Sequence, residues 1–227
     1  MDIGLTPAIA LSLVAWGTIV GVDLVSAPQG LLSRPLVAAA VAGWLLGDVA
    51  AGLQVGLVLE CFALDVLPVG AAKYPDYGPG AVGATLYATG GKGFGVLGVA
   101  TGIGLVMALV GGWSLLWIRH ANTRAVQRQA AALAAGDRPT IRGLQREGLL
   151  RDITRSAVLT LLAIGLAVAS ARFTFPAEGP FELVGIAAIG AALAAVSTGA
   201  VRSAGRGPRL AWLSAGALLG LLWVVLG

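Results

Sequence analysis

Long stretches of this chain contain no charged residue, and that spacing decides what it can fold into. Residues 3–22 lie uncharged between Asp2 and Asp23, residues 93–118 between Lys92 and Arg119, and residues 183–201 between Glu182 and Arg202. Residues 210–227 follow Arg209 without a charge, and 156–171 form a shorter run between Arg155 and Arg172. A helix rises 1.5 Å per residue, so about 20 apolar residues cross the roughly 30 Å hydrocarbon core of a bilayer. A buried core in a water-soluble protein would need polar helix faces, which these runs lack. Composition agrees: 57% of the chain is hydrophobic and 11% is charged, against about 25% charge in soluble domains. The expected fold is an all-α polytopic membrane protein.

The first run opens with the acidic Met1–Asp2, and no clean cleavage site of the A-x-A type follows it. Helix one is therefore expected to stay in the mature protein. The single cysteine, Cys61, excludes an internal disulfide framework.

The formal charge of +4 is distributed unevenly. Residues 1–118 carry six acids and three bases, whereas residues 119–155 carry eight arginines against Asp137, Glu147 and Asp152. Excess arginine marks the cytoplasmic side, so 119–155 reads as a basic cytoplasmic loop. Alternation through the acidic connection 172–182 and the basic one at Arg202, Arg206 and Arg209 places the C-terminus outside. The segment "HANTRAVQRQAAALAAGD" reads as an interfacial helix, and Trp113 and Trp117 as an aromatic belt. A nucleic-acid module would interleave aromatics and glycines with the bases. Without them, the loop reads as a topology determinant and a face for soluble partners, and no nucleic-acid partner is expected.

Residues 1–92 form a different region. Between Asp23 and Lys92 the uncharged runs 24–33, 35–47 and 49–59 are too short to span, and Pro28, Pro35, Pro68, Pro75 and Pro79 punctuate the segment. Such pieces match broken or re-entrant helices, which bilayers accept only where the backbone is buried in protein or lines a wet cavity. Transporters place substrate at such breaks. The expected organisation is a broken-helix substrate region at 1–92 with its motif core at 23–76. A membrane helix at 93–118, the basic loop at 119–155 and three membrane helices in 156–227 follow. The alternative for 23–92 is a pair of tilted helices. Many of the 34 glycines are spaced by four, as in Gly43–Gly47, Gly52–Gly56 and Gly98–Gly102, a pattern that serves close helix packing in lipid.

Glu60, Asp48 and Asp65 lie inside this apolar region. A charge at the bilayer centre costs on the order of 3 kcal/mol even on the lenient scale, so each must face a partner, a cavity or another charge. An internal ion pair of Glu60 with Lys73 or Arg34 is one solution, and a polar cargo is another.

The residues of "SRPLVAAAVAGWLLGDVAAGLQVGLVLECFALDVLPVGAAKYPD" resemble membrane subunit IIC of the mannose/fructose/sorbose family of bacterial phosphotransferase systems. The similarity lies in five ordered elements: Arg34–Pro35, Gly47–Asp48, Leu59–Glu60, Gly70–Ala71 and Pro75–Asp76. Asp23 and Pro28–Gln29 resemble the family's acidic and Gln positions upstream. Asp65 stands where the family commonly has Gly, and Lys73 where it has an apolar residue.

The resemblance implies a multi-pass subunit of the bacterial cytoplasmic membrane that moves a hexose or amino sugar. It implies a second membrane subunit, IID, soluble IIA and IIB phosphocarriers, an oligomeric assembly, and no phosphorylated residue on IIC itself. His120, the only histidine, sits beside Arg119 with no partner motif. No catalytic residue, cofactor or metal is expected. For such a cargo, Glu60 and Asp76 suit the acceptance of sugar hydroxyls, because charge-assisted bonds are the stronger kind. Gln29 adds a donor and an acceptor, Asp23 is a further candidate, and Lys73 would neutralise Asp76 or meet a phosphoryl group. Arg34 would pair with Asp48 or Asp23 and brace the broken segment, and Trp44 or Tyr74 would stack on a sugar face. The competing class is a proton- or cation-coupled small-solute carrier using the same carboxylates as an ion relay. A third is a non-transporting scaffold whose carboxylates only pair internally.

Overall fold

The structure is a computed structural model; it describes residues 4–65, 73–173 and 179–204, and 207, 208, 211, 212, 214–216, 218 and 219 beyond them. All regular structure among these residues is helical. The expected span at 210–227 and the Gly70–Ala71 element lie largely or wholly outside the described residues.

Helix α1 (Pro7–Asp23) starts where Thr6 Oγ1 accepts from Ile9 N at 3.3 Å, with Pro7 preset in its first turn. Helices α2 (Pro35–Leu46) and α3 (Val49–Ala63) are joined only by Gly47 and Asp48. Gly47 takes φ +80°, which a side chain would resist, and the Asp48 carboxylate caps α3 by accepting from Ala51 N at 2.9 Å. At 12 and 15 residues these helices are about 18 and 22 Å long, shorter than the hydrocarbon core. They form a short helical hairpin, buried on one face and exposed along Leu53 and Leu57, which is the broken-helix arrangement.

Helix α4 (Tyr77–Thr89) is the centre of the molecule, buried from Gly78 to Ala88. Its small residues permit this: a Cβ on Gly83 would stand 2.6 Å from the backbone of Ala163 on a neighbouring helix. Close backbone approach of this kind is how helices associate where lipid removes the hydrophobic drive. Around α4 pack α1, α2, α3, α5 (Phe94–Arg128) and α7 (Arg138–Ala171), while α8 (Pro180–Ala204) lies on α5 and α3.

Three described helices are long and apolar enough to cross a membrane: Phe94–Arg128, Arg138–Ala171 and Pro180–Arg202. The first two correct the boundaries read from sequence. The expected membrane helix at 93–118 continues unbroken to Arg128, and the helix expected from residue 156 begins at Arg138, capped by Asp137. At 35 and 34 residues these helices are each about 50 Å long, so each exceeds the hydrocarbon core by roughly 20 Å. The expected basic loop is thus a helical arm, closed by α6 (Ala130–Ala134) and by Gly136 at φ +70°. Its arginines lie on α5 and α7, and the supposed interfacial helix is the end of α5 followed by α6. Trp113 and Trp117, at the base of the arm, are exposed.

The elements sort into two ends. The α2–α3 tip at Asp48 meets the α4–α5 turn at Gly91–Gly93. At the other end, beside the arm, lie the turn after α1, the start of α2, the end of α3 and the start of α4.

Candidate functional site

The arm end contains the polar groups that the apolar sequence could not hide. Helix α1 stops at Asp23, whose buried carboxylate accepts from Gly30 N at 2.6 Å and from Ser33 N at 2.9 Å. One side chain thereby fixes the turn between α1 and α2. Within that turn Gln29 and Leu31 adopt φ of 58° and 64°. The Gln29 amide nitrogen donates to Val25 O at 2.9 Å and the residue is exposed.

Arg34 then occupies the cap position of α2 and reaches across to α3, where its Nε donates to Glu60 Oε1 at 2.7 Å. A second guanidinium nitrogen contacts the same oxygen. Glu60 Oε2 accepts from Leu36 N at 3.2 Å, so this carboxylate also serves an otherwise unpaired donor at the start of α2. The pairing of Arg34 with Asp48 or Asp23 expected from sequence is corrected: Asp48 lies at the far end of the hairpin and Asp23 binds backbone. The side chains of Arg34 and Glu60 remain 22% and 17% exposed.

Asp76 has a different setting. It stands at the cap position of α4 without capping it, and its Oδ2 accepts from Arg155 Nη1 at 2.7 Å. Arg155 also donates to Gly21 O at 3.1 Å, to Ser114 Oγ at 3.3 Å and, through Nε, to Asp152 Oδ1 at 3.0 Å. Asp152 Oδ2 in turn accepts from Ser26 Oγ at 2.5 Å. The cluster ties together α1, the turn after it, α4, α5 and α7, and Asp76, Asp152 and Arg155 are 1%, 2% and 8% exposed. It sits within the bilayer span of α5: Asp76 adjoins Gly111, where a Cβ would come within 2.8 Å of the aspartate's own. Gly111 is eight residues before Arg119, about 12 Å along the helix. Among the described residues, none hydrogen-bonds the buried Asp76 Oδ1.

For two further expectations, those for Lys73 and Tyr74, the structure shows other partners. Lys73 is exposed, and Asp76 is neutralised by Arg155 instead. Arg155 is a buried hub. Tyr74 is engaged by Arg119, whose Nη2 donates to its hydroxyl at 3.2 Å and whose guanidinium lies 5.3 Å from its ring centroid. Asp65 pairs with Arg202, joining the ends of α3 and α8.

Arg155, Asp152, Ser26 and Ser114 were missed as site residues. A signal existed: Asp152, Ser156, Thr160, Ala163 and Ala167 recur at three- and four-residue spacing, a small and polar stripe that α7 turns inward. A cleft of 500 Å³ opens beside the cluster, between residues 25–27, α5 and α7, with Ser26, Asn122, Gln145, Arg151 and Asp152 on its walls. Among the described residues no group of three or more His, Cys, Asp or Glu could hold a metal ion.

The profile of the family described as "PTS system sorbose-specific iic component" matches residues 5–197. The chain belongs to this family. The fold recurs in solved structures. One, described as "Structure of membrane protein", is 18% identical with a TM-score of 0.63, covering 98% of this chain and 97% of the other. Another, the cryoEM structure of the mannose transporter ManYZ in complex with microcin E492 (MceA), is 20% identical with a TM-score of 0.62, covering 98% and 95%. No curated protein sequence matches significantly. This IIC family member is thus a multi-pass membrane component of a phosphotransferase-type transporter.

Proposed function

We propose that this chain is the sugar-translocating IIC subunit of a phosphoenolpyruvate-dependent sugar phosphotransferase system, moving a hexose or amino sugar that a soluble IIB partner phosphorylates. The observation that carries the reading is the family match over residues 5–197. Its partners are a IID membrane subunit and soluble IIA and IIB phosphocarriers. The arginine-rich arm faces the cytoplasm and the C-terminus lies outside, by the excess of arginine on the arm.

Within this reading Glu60 and Gln29 are the groups that meet the sugar. Glu60 is partly exposed, and a carboxylate retains acceptor positions beyond those given to Arg34 and Leu36. Asp23 fixes the turn that presents Gln29, and Asp76 acts through Arg155 rather than by touching a hydroxyl. The exposure of Lys73 supports a role in meeting a phosphoryl group.

The test is uptake and phosphorylation of hexoses and amino sugars in membranes containing this chain, IID and the phosphocarriers. Glu60→Gln is expected to abolish uptake while the protein still inserts. Uptake near the wild-type rate would remove Glu60 from the site. Uptake that follows a pH gradient and ignores IIB would replace the reading with the ion-coupled carrier.

A further inference from the structure

At the end opposite the arm, two cavities share the residues Gln54, Gly93 and Leu97. The first, of 330 Å³, is lined by Asp48 and Lys92 at the α2–α3 tip and the α4–α5 turn. The second, of 420 Å³, is an apolar crevice between α3, α5 and α8, walled by Leu57, Val58, Phe94, Ile189 and Leu193. It follows α3 from Gln54 to Cys61, about 10 Å along the bilayer normal. Leu57 and Leu193 are 58% and 56% exposed, so the crevice opens toward hydrocarbon. A charged cavity running into an apolar crevice open to lipid has the form of an amphiphile.

From this continuity we propose that the end opposite the arm holds a phospholipid with an ethanolamine headgroup. The headgroup lies between Asp48 and Lys92, and one acyl chain fills the α3–α5–α8 crevice. Charge complementarity selects the headgroup. Among the described residues Lys92 has no ion-pair partner, which leaves its ammonium for a phosphodiester. Asp48 uses Oδ1 to cap α3, and its second oxygen is available to a primary ammonium. A glycerol headgroup has no cation for Asp48, and a choline headgroup has no N–H to donate. A sugar would leave the apolar crevice unused. The proposal is independent of what is transported.

The experiment is native mass spectrometry of the full chain in mild detergent. The probes are phosphatidylethanolamine, phosphatidylglycerol and phosphatidylcholine of identical acyl chains, each with and without inorganic phosphate or a hexose. The expected result is preferential retention of one ethanolamine lipid per chain. Lys92→Ala should lower that retention about tenfold, the scale of a lost charge-assisted bond. Asp48→Asn keeps an oxygen to cap α3, so the fold survives, and it should erase the preference over the other two lipids. Equal retention of all three lipids by the wild type, or unchanged retention and preference in both variants, would overturn the proposal. Displacement by inorganic phosphate would reduce the site to a free-anion site, and displacement by hexose would reassign it to sugar; either result also overturns it.

Discussion

Glu60 and Asp76 are both carboxylates near the arm end of the molecule, and each binds an arginine, yet the protein treats them differently. The Glu60–Arg34 pair is a two-residue contact between α2 and α3 that keeps 17% and 22% of its side chains exposed. Asp76–Arg155 is fully enclosed, shared with Asp152 and bonded to Gly21 O and Ser114. Removing charge from water costs several kcal/mol per ion, and attraction recovers that only with good geometry and additional hydrogen bonds. The enclosed cluster has that geometry around Arg155, so its role is to hold five segments in register. The Glu60–Arg34 pair stays partly open. Two acid–arginine pairs of the same chemistry thus differ in burial and in the number of groups that share them, one enclosed in a brace and one partly open.

The largest expected effect comes from breaking the brace. Arg155→Met leaves two buried carboxylates uncompensated and should destabilise the protein by about 3–5 kcal/mol. Thermal unfolding and the monodisperse fraction in detergent would report it. Adding Asp76→Asn to that variant should recover part of the loss. Wild-type behaviour of Arg155→Met would mean that the enclosed cluster is no brace.

Next is the packing that keeps the cluster enclosed. Gly83→Leu must push α4 away from Ala163 on α7, at a cost of about 1–3 kcal/mol for overpacking. The melting temperature should fall without any change in charge. An unchanged melting temperature would show that α4 tolerates bulk and is not tightly clasped.

Glu60→Gln sharpens the contrast most directly, because stability and function should part. Glutamine retains acceptors for Leu36 N and for the Arg34 guanidinium, so the stability loss should stay below that of Arg155→Met, whose partners are more deeply buried, while sugar uptake is lost. A large fall in stability would place Glu60 with the brace. The smallest effect belongs to Asp65→Gly. That residue pairs with Arg202 at side-chain exposures of 29% and 56%, and exposed pairs contribute about 0.2–1 kcal/mol. A melting curve within that margin is expected, and a larger drop would make the α3–α8 junction a second brace.

Much of the fold could be read in the chain because lipid imposes simple rules. Uncharged runs long enough to span gave α5 and α8, and the clustered prolines and glycines of 23–92 gave the short helices α2, α3 and α4. Helix ends outside the bilayer were less legible. Arg119 read as the end of a membrane helix, with Arg124 and Arg128 on a separate interfacial helix, because a hydropathy run stops at the first charge, whereas helical hydrogen bonding does not. The candidate site was half legible. Glu60 stood out as a charge in an apolar run, but Arg155 sat at the edge of one, where an arginine normally reaches back to water.

The sequence alone determined that this protein lives in a bilayer, that its first half is broken, and that its arginines gather in one segment. These follow from local quantities, the run of apolar residues and the points where charge interrupts it. Only the tertiary structure decided which acid meets which base. Asp76 and Arg155 are 79 residues apart and Glu60 and Arg34 are 26 apart. The partner of a charge in lipid is set by which helices pack together, and no spacing along the chain records that.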